Sequence, residues 1–257
     1  MGNFTTGALT KQVSVTVETT LTNRIHIFLL PLLLLLSATV AAQWSEFPSG
    51  DLDSRTTRIQ DKAEDLYQSG GWERAYFIYV NELAPIGDKY AQYMAGYMCK
   101  WGHGVEKDPV MASAWYRIAA ERDSPEFVEV RDEMLESLSP EERDRSDIEY
   151  IELRQKYSDL VVVLNLLSEE YNELHEGGTG SRLTNRGGSV TILDPKSGIG
   201  MSKDALIKRT MKQMQVRLDF LTDKLGIEPI DASDLDQDEL DILGAQVSDY
   251  LLIIDDR

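Results

Sequence analysis

The 257-residue chain has little of what builds covalent or metal-bound frameworks: one cysteine, Cys99, and three histidines. A single thiol cannot close an intramolecular disulfide, and it excludes every multi-cysteine zinc or iron–sulfur site. Positive charge is also scarce. The 26 Lys and Arg stand against 44 Asp and Glu, a formal net charge of −18. Such a surface repels a phosphate backbone, so nucleic-acid binding driven by net charge is excluded. The 18 glycines and 8 prolines are too few for a collagen or low-complexity chain, while 42% hydrophobic residues suit a packed core.

Long apolar runs are absent save one. Residues 25–42 (IHIFLLPLLLLLSATVAA) carry no formal charge, follow Arg24 and end in Val40-Ala41-Ala42. Small side chains at these positions before Gln43 fit a signal-peptidase site, so residues 1–42 are expected to be a cleaved export signal that meets the membrane only transiently. The Thr-rich stretch before Arg24 is long for the head of such a signal. The remaining chain, 43–257, is then periplasmic or secreted, and Cys99 is expected to be buried as a small apolar residue.

From 56 to 138 the pattern is short helices between turn signals, and the expected fold class is all-α. Ile59, Ala63, Leu66 and Tyr67 keep helical spacing up to Gly70-Gly71; Ala75, Tyr76, Tyr79 and Leu83 mark a second helix, broken by Pro85 and Gly87. A third precedes Gly102-His103-Gly104. Asp108 stands where it can cap a fourth, with Pro109 at its first position, and Ser124-Pro125-Glu126 opens a fifth. Helix pairs at this spacing are the mark of a short α-solenoid. Gly96 and Ala112 let two helices approach closely, and Gly102 and Gly104 supply backbone conformations that a Cβ disfavours. Trp115 and Tyr116 fill the space between helices, and Ala119-Ala120 lets the next pair stack.

These positions carry a family likeness. The stretch 91–121, through Ala91, Gly96, Tyr97, Gly102, Gly104-Val105, Asp108, Ala112, Trp115-Tyr116 and Ala119-Ala120-Glu121, resembles the SEL-one-like repeat, a relative of the tetratricopeptide repeat. Residues 63–83 look like a degenerate upstream repeat. Downstream the pattern departs: Asp123 stands where the family has glycine, and Phe127-Val128 where it has an alanine-led helix. The resemblance implies a helical repeat region over 43–138 that acts as an adaptor or regulator of larger assemblies. It also implies that the third helix lines a concave face, where Tyr90, Met94, Tyr97 and Trp101 step 4, 3, 4, either as a candidate partner groove or as a surface packed against the chain's own later helices. A cysteine-rich branch of the family is linked to β-lactam hydrolysis; its paired cysteines are absent here.

The region 139–257 reads as longer helices. Ser139-Pro140-Glu141-Glu142 is a capping box, and Tyr150, Leu153, Tyr157, Leu160, Leu164, Leu167, Tyr171 and Leu174 form a heptad seam in one helix expected to reach Glu176. A glycine-rich connection, 177–200, holds a short strand near 190–193. Ser202-Lys203-Asp204 opens a helix with Ile207, Met211, Met214, Leu218, Leu221 and Leu225 in heptad steps. Ser233-Asp234 opens a last helix with Leu240, Leu243, Val247, Leu251 and Ile254 on one face. Residues 121–176 carry a net −12 and residues 181–217 a net +6. The basic helix, at Lys208, Arg209, Lys212 and Arg217, is therefore expected to pair with the acidic one within the chain.

No catalytic, metal or cofactor set emerges. His103 and His175 lie in a turn and at a helix end with no metal-ligand spacing, and no G-x-S-x-G elbow is present. Residues 177–181 (GGTGS) lack the G-K-[ST] ending of a phosphate loop. Asp234, Asp236 and Asp238 alternate as in a calcium loop, but Glu239 replaces the turn glycine, and a helix first turn accounts for the acids better. The expected function is an exported, non-catalytic protein–protein interaction module whose partner is another protein. Two other readings stand beside it: an envelope enzyme or inhibitor with its site in the C-terminal region, and a structural homo-oligomer through the heptad helices.

Overall fold

A computed structural model describes residues 47–48, 54–176, 191–193 and 200–253. The expected export signal over 1–42, its cleavage point and most of the connection 177–200 lie outside these residues. The fold is all-α. No described helix is long and apolar enough to cross a membrane.

Helix α1 (Ser54–Gln68) ends at Gly70, whose φ of +83° turns the chain into α2 (Trp72–Ile78). That helix runs on through a π turn (Tyr79–Leu83) and a 3₁₀ turn (Ala84–Ile86). Asp88 then caps α3 (Lys89–Trp101) by accepting from the Ala91 amide at 3.0 Å, and Gly102 closes it in the left-handed conformation. Asp108 caps α4 (Pro109–Ala119) through the amides of Val110 and Met111 at 2.9 and 3.0 Å, as its spacing before Pro109 predicts. A 3₁₀ turn, Ala120–Arg122, ends at Asp123 with φ +54°. Aspartate is one of the residue types that tolerate this region. Helix α5 (Pro125–Ser137) and α6 (Pro140–Tyr157) follow, and Ser139 and Glu142 complete both halves of the expected capping box.

Close approach of α3 and α4 depends on Gly96: a Cβ there would stand 2.8 Å from the Tyr116 ring and 3.1 Å from the Ala112 carbonyl. Ala112, Ala119 and Ala120 are fully covered, as are Trp115 and Tyr116. Of these, Ala112, Trp115 and Tyr116 join Cys99, Met134, Leu138 and Leu153 in one buried cluster. Burial pushes the Cys99 thiol up to about 11, so it is an inert core group beside the Tyr76 hydroxyl at 3.5 Å.

The long heptad helix expected to Glu176 is two helices. Ser158 takes an extended backbone (φ −64°, ψ 155°) and separates α6 from α7 (Asp159–Glu176). The seam divides there. Tyr150, Leu153 and Tyr157 pack with the helices of the 43–138 region, while Leu160, Leu167 and Tyr171 enter a different core. An unbroken periodicity concealed a Ser-Asp start signal, and tertiary contacts enforce it. The Asp159 carboxylate lies against Lys89 Nζ (3.1 Å) and takes two hydrogen bonds from Arg122 (2.8 and 2.9 Å). Its amide donates to Glu121, which also holds Lys89 at 2.8 Å. Arg122 bonds the Gly87 carbonyl, and the fully buried Gln92 donates to the carbonyls of Ala84 and Tyr157. The helix end and the next helix start are thus fastened to the first turn of α3.

Burial raises Glu121 and would raise Asp159, but Lys89 and Arg122 outweigh it at Asp159 and hold that carboxyl below its usual range. A depressed folded value contributes stability above the unfolded value near 3.8, lost as pH falls through the folded one. Asp159→Asn is therefore expected to cost about 3 kcal/mol at pH 7, with the deficit shrinking below about pH 3.8. Urea unfolding at pH 7 and pH 3 measures this, and a deficit independent of pH would contradict it.

After the connection, Thr191–Leu193 (β1) pairs antiparallel with Gly200–Ser202 (β2), Ile192 opposite Met201. The expected strand near 190–193 gains a partner the sequence did not reveal. Ser202 caps α8 (Lys203–Leu225), and Asp236 caps α9 (Gln237–Leu251), three residues later than Ser233 suggested. Asp231 is occupied with the amide and hydroxyl of Ser233, so these acids act in turn and cap geometry. Helices α7, α8 and α9 share a core of Leu160, Val163, Leu167, Met214, Leu218 and Leu243. Of the four basic residues expected along the acidic helix, Arg217 forms a buried pair with Glu170 at 2.6 Å, whereas Lys208 and Lys212 are exposed. Arg154 of α6 ties down the end of α9, donating to the carbonyls of Leu251 and Ile253 at 3.3 and 2.6 Å.

Candidate functional site

Aromatic side chains gather on one face of α3, and the helix period explains which ones. Tyr90, Tyr93, Tyr97 and Trp101 step 3, 4, 4 and lie in a row, with ring centroids 6.3, 6.4 and 6.3 Å apart. Tyr90 and Trp101 are half exposed, at 50% and 54%. Met94 does not belong to this face. It is 5% exposed and packs with Ile78, Leu83, Ala91 and Met98. The expected stripe of Tyr90, Met94, Tyr97 and Trp101 is corrected at that position, and Tyr93 takes its place.

Neighbouring elements extend the row. Phe127 of α5 stacks on Tyr93 at 5.5 Å, and Tyr93 rests on the buried Tyr116, also at 5.5 Å. Tyr67 of α1 meets Tyr97 edge-on at 6.3 Å. His103, in the turn after α3, lies flat against Trp72 at 4.3 Å and 13°, and its Nδ1 is 3.0 Å from the Tyr67 hydroxyl. Trp72 Nε1 donates to the Tyr67 carbonyl at 3.1 Å. Offset and edge contacts of this kind fix ring orientations beyond simple area burial. The result is a rigid aromatic surface drawn from α1, α2, α3, the 102–104 turn and α5.

Gly104 sets the turn that delivers His103. Its φ is +72°, and a Cβ there would lie 2.4 Å from the Trp72 carbonyl carbon and the Glu73 amide nitrogen. Glycine is required twice over, for the backbone conformation and for the close approach of the two chain segments.

At the Tyr90 end stands Glu64. Its Oε1 accepts from Gln68 Nε2 at 2.7 Å, and its Oε2 accepts from the hydroxyls of Tyr79 and Tyr90 at 3.1 and 3.2 Å. These bonds, with Gln68 contributing most, outweigh desolvation and hold the carboxyl below its usual range, so it is ionised at neutral pH. Burial, with Glu64 beside it, pushes the Tyr90 hydroxyl up to about 12.

The face has the anatomy of a docking surface: large rigid rings with polar tips, exposed over a close-packed base. His175, at the end of α7, stacks on Tyr171 at 4.0 Å, and its Nδ1 lies 2.8 Å from the Tyr171 carbonyl. The connection that would have joined His175 in an enzymatic pocket is largely outside the described residues. A surface depression of about 380 Å³ along α1 is lined by Arg58, Asp61, Lys62, Asp65 and Leu66 of that helix and Ser69 just after it, so no second helix converges on it.

The sequence signals Tyr90, Tyr97 and Trp101 by spacing, and Tyr93 was equally visible as the residue four before Tyr97. Tyr67 and Glu64 come from α1, Trp72 from α2 and Phe127 from α5, and no local pattern assigns them to this face. Neither protein-family models, curated proteins nor solved structures yield a match to this chain.

Proposed function

We propose that this chain is an exported, non-catalytic protein-interaction module of the SEL-one-like, tetratricopeptide-related kind, acting as an adaptor or regulator of an envelope assembly. The observation that carries the reading is the aromatic row Tyr90, Tyr93, Tyr97 and Trp101, exposed at its two ends and partly buried at Tyr93 and Tyr97, held rigid by Tyr116, Phe127 and the Trp72–His103 stack. Rigid Tyr and Trp side chains give large contact area at low entropic cost, the usual composition of interaction hot spots. The heptad residues Leu153, Leu160, Leu167 and Tyr171 are covered within one chain, which favours the aromatic face over the seam as the surface offered to a partner.

The test is a photo-reactive phenylalanine derivative in place of Trp101, compared with the same group at Ile148, an exposed position on α6. Irradiation in an envelope fraction is expected to give a discrete protein adduct from position 101, at least fivefold stronger than from 148, and lost on adding Tyr97→Ala. Equal labelling at both positions, or none at either, would overturn the reading.

A further inference from the structure

One end of the aromatic face carries a carboxylate held by neutral donors. Among the described residues, Glu64 has three neutral hydrogen-bond donors, Gln68, Tyr79 and Tyr90, and no cationic partner. Asp88 stands close enough to act electrostatically on both Tyr79 and Tyr90. Its oxygens accept from Gln60 Nε2 and the Ala91 amide, again neutral donors. A carboxylate offers about four acceptor positions, so Glu64 retains capacity for one more donor. That donor must come from solvent or a partner, and the half-exposed Tyr90 ring lies beside it.

A flat cation-binding surface next to an uncompensated carboxylate suits a guanidinium. It stacks on an aromatic face and donates in its own plane, which an ammonium cannot do as well. We propose that this face docks an extended segment of a partner protein with an arginine seated on Tyr90 and bonded to Glu64. The proposal rests on the docking reading above and names the partner's chemistry. The chain's net charge of −18 favours the approach of such a basic segment. From Tyr90 to Trp101 the helix rises ~16 Å at ~1.5 Å per residue, the span of about five residues of extended chain. The arginine therefore precedes or follows an apolar residue by about five positions, the latter meeting Trp101.

The probe is a fluorescein-labelled hexapeptide, Arg-Ser-Thr-Ser-Gly-Leu, beside its citrulline-for-arginine twin, titrated by polarisation against the full chain. The arginine peptide is expected to bind at least fivefold more tightly. Glu64→Gln should abolish the preference, and Glu169→Gln, which removes the same charge from an exposed site on α7, should leave it intact. Equal weakening by both variants would reduce the effect to bulk charge and overturn the proposal. Equal binding of the two peptides, weakened at least fivefold by Trp101→Ala, would also overturn it while leaving the docking reading standing. Peptide binding indifferent to both Tyr90→Ala and Trp101→Ala would overturn the two together.

Discussion

Replacing Gly104 by alanine is expected to cost about 3–5 kcal/mol and lower the melting temperature by about 10 °C, whereas Gly70→Ala costs only about 1–2 kcal/mol. Both glycines have positive φ, +72° and +83°, so both substitutions meet the left-handed penalty. They differ in surroundings. A Cβ at Gly70 meets nothing within 4 Å, while at Gly104 it would stand 2.4–2.6 Å from three backbone atoms of Trp72 and Glu73. Backbone cannot swing aside as a flexible side chain would, so the 102–104 turn or the start of α2 must move. Such a shift would also unstack His103 from Trp72, 4.3 Å away, and disturb one end of the aromatic face. Three of the four tryptophans, Trp72, Trp101 and Trp115, lie in α2, α3 and α4, so tryptophan fluorescence during urea unfolding reports mainly on this region. Equal losses at Gly70 and Gly104 would refute the close-approach argument and leave only the backbone conformation.

Glu170→Leu is expected to cost about 3–5 kcal/mol, and adding Arg217→Met to bring stability back to within about 1 kcal/mol of the original. The pair is enclosed, with the two side chains 2% and 3% exposed and Arg217 Nη1 bonded to both carboxylate oxygens at 2.6 and 2.7 Å. Removing the carboxylate strands a buried guanidinium whose Nε already lacks a hydrogen-bond partner. Replacing both partners removes two desolvation costs and leaves apolar side chains beside Leu218 and Leu167. Urea unfolding followed by far-UV circular dichroism, which reads the helices together, measures both variants. A double variant as unstable as Glu170→Leu alone would mean that the pair contributes net stability and not only selection of the helix pairing.

Export, if it occurs as proposed, would expose the single thiol to an oxidising compartment, where burial of Cys99 at 1% exposure protects it. The composition anticipated this: a lone cysteine among Ala95, Met98 and Gly96 reads as an apolar core residue.

The sequence determined the all-α class, the caps at Asp88, Asp108, Ser139 and Ser202, and the close-packed α3–α4 pair, because each depends on residues within a few positions of one another. A capping side chain reaches amides two or three residues ahead, and Gly96 admits Tyr116 whatever surrounds the pair. Where the local signal was degenerate, tertiary structure decided. Steps of 3 and 4 run unbroken through Tyr157 and Leu160, yet the helix stops at Ser158 because Lys89 and Arg122, over 35 residues away, hold Asp159. Met94 and Tyr93 both satisfy helical spacing from Tyr90. Only the positions of α2 and α5 send Met94 into the core and leave Tyr93 on the aromatic face against Phe127. The charge of Glu64 was legible; that only neutral donors surround it among the described residues was not, since that is a property of everything packed around it.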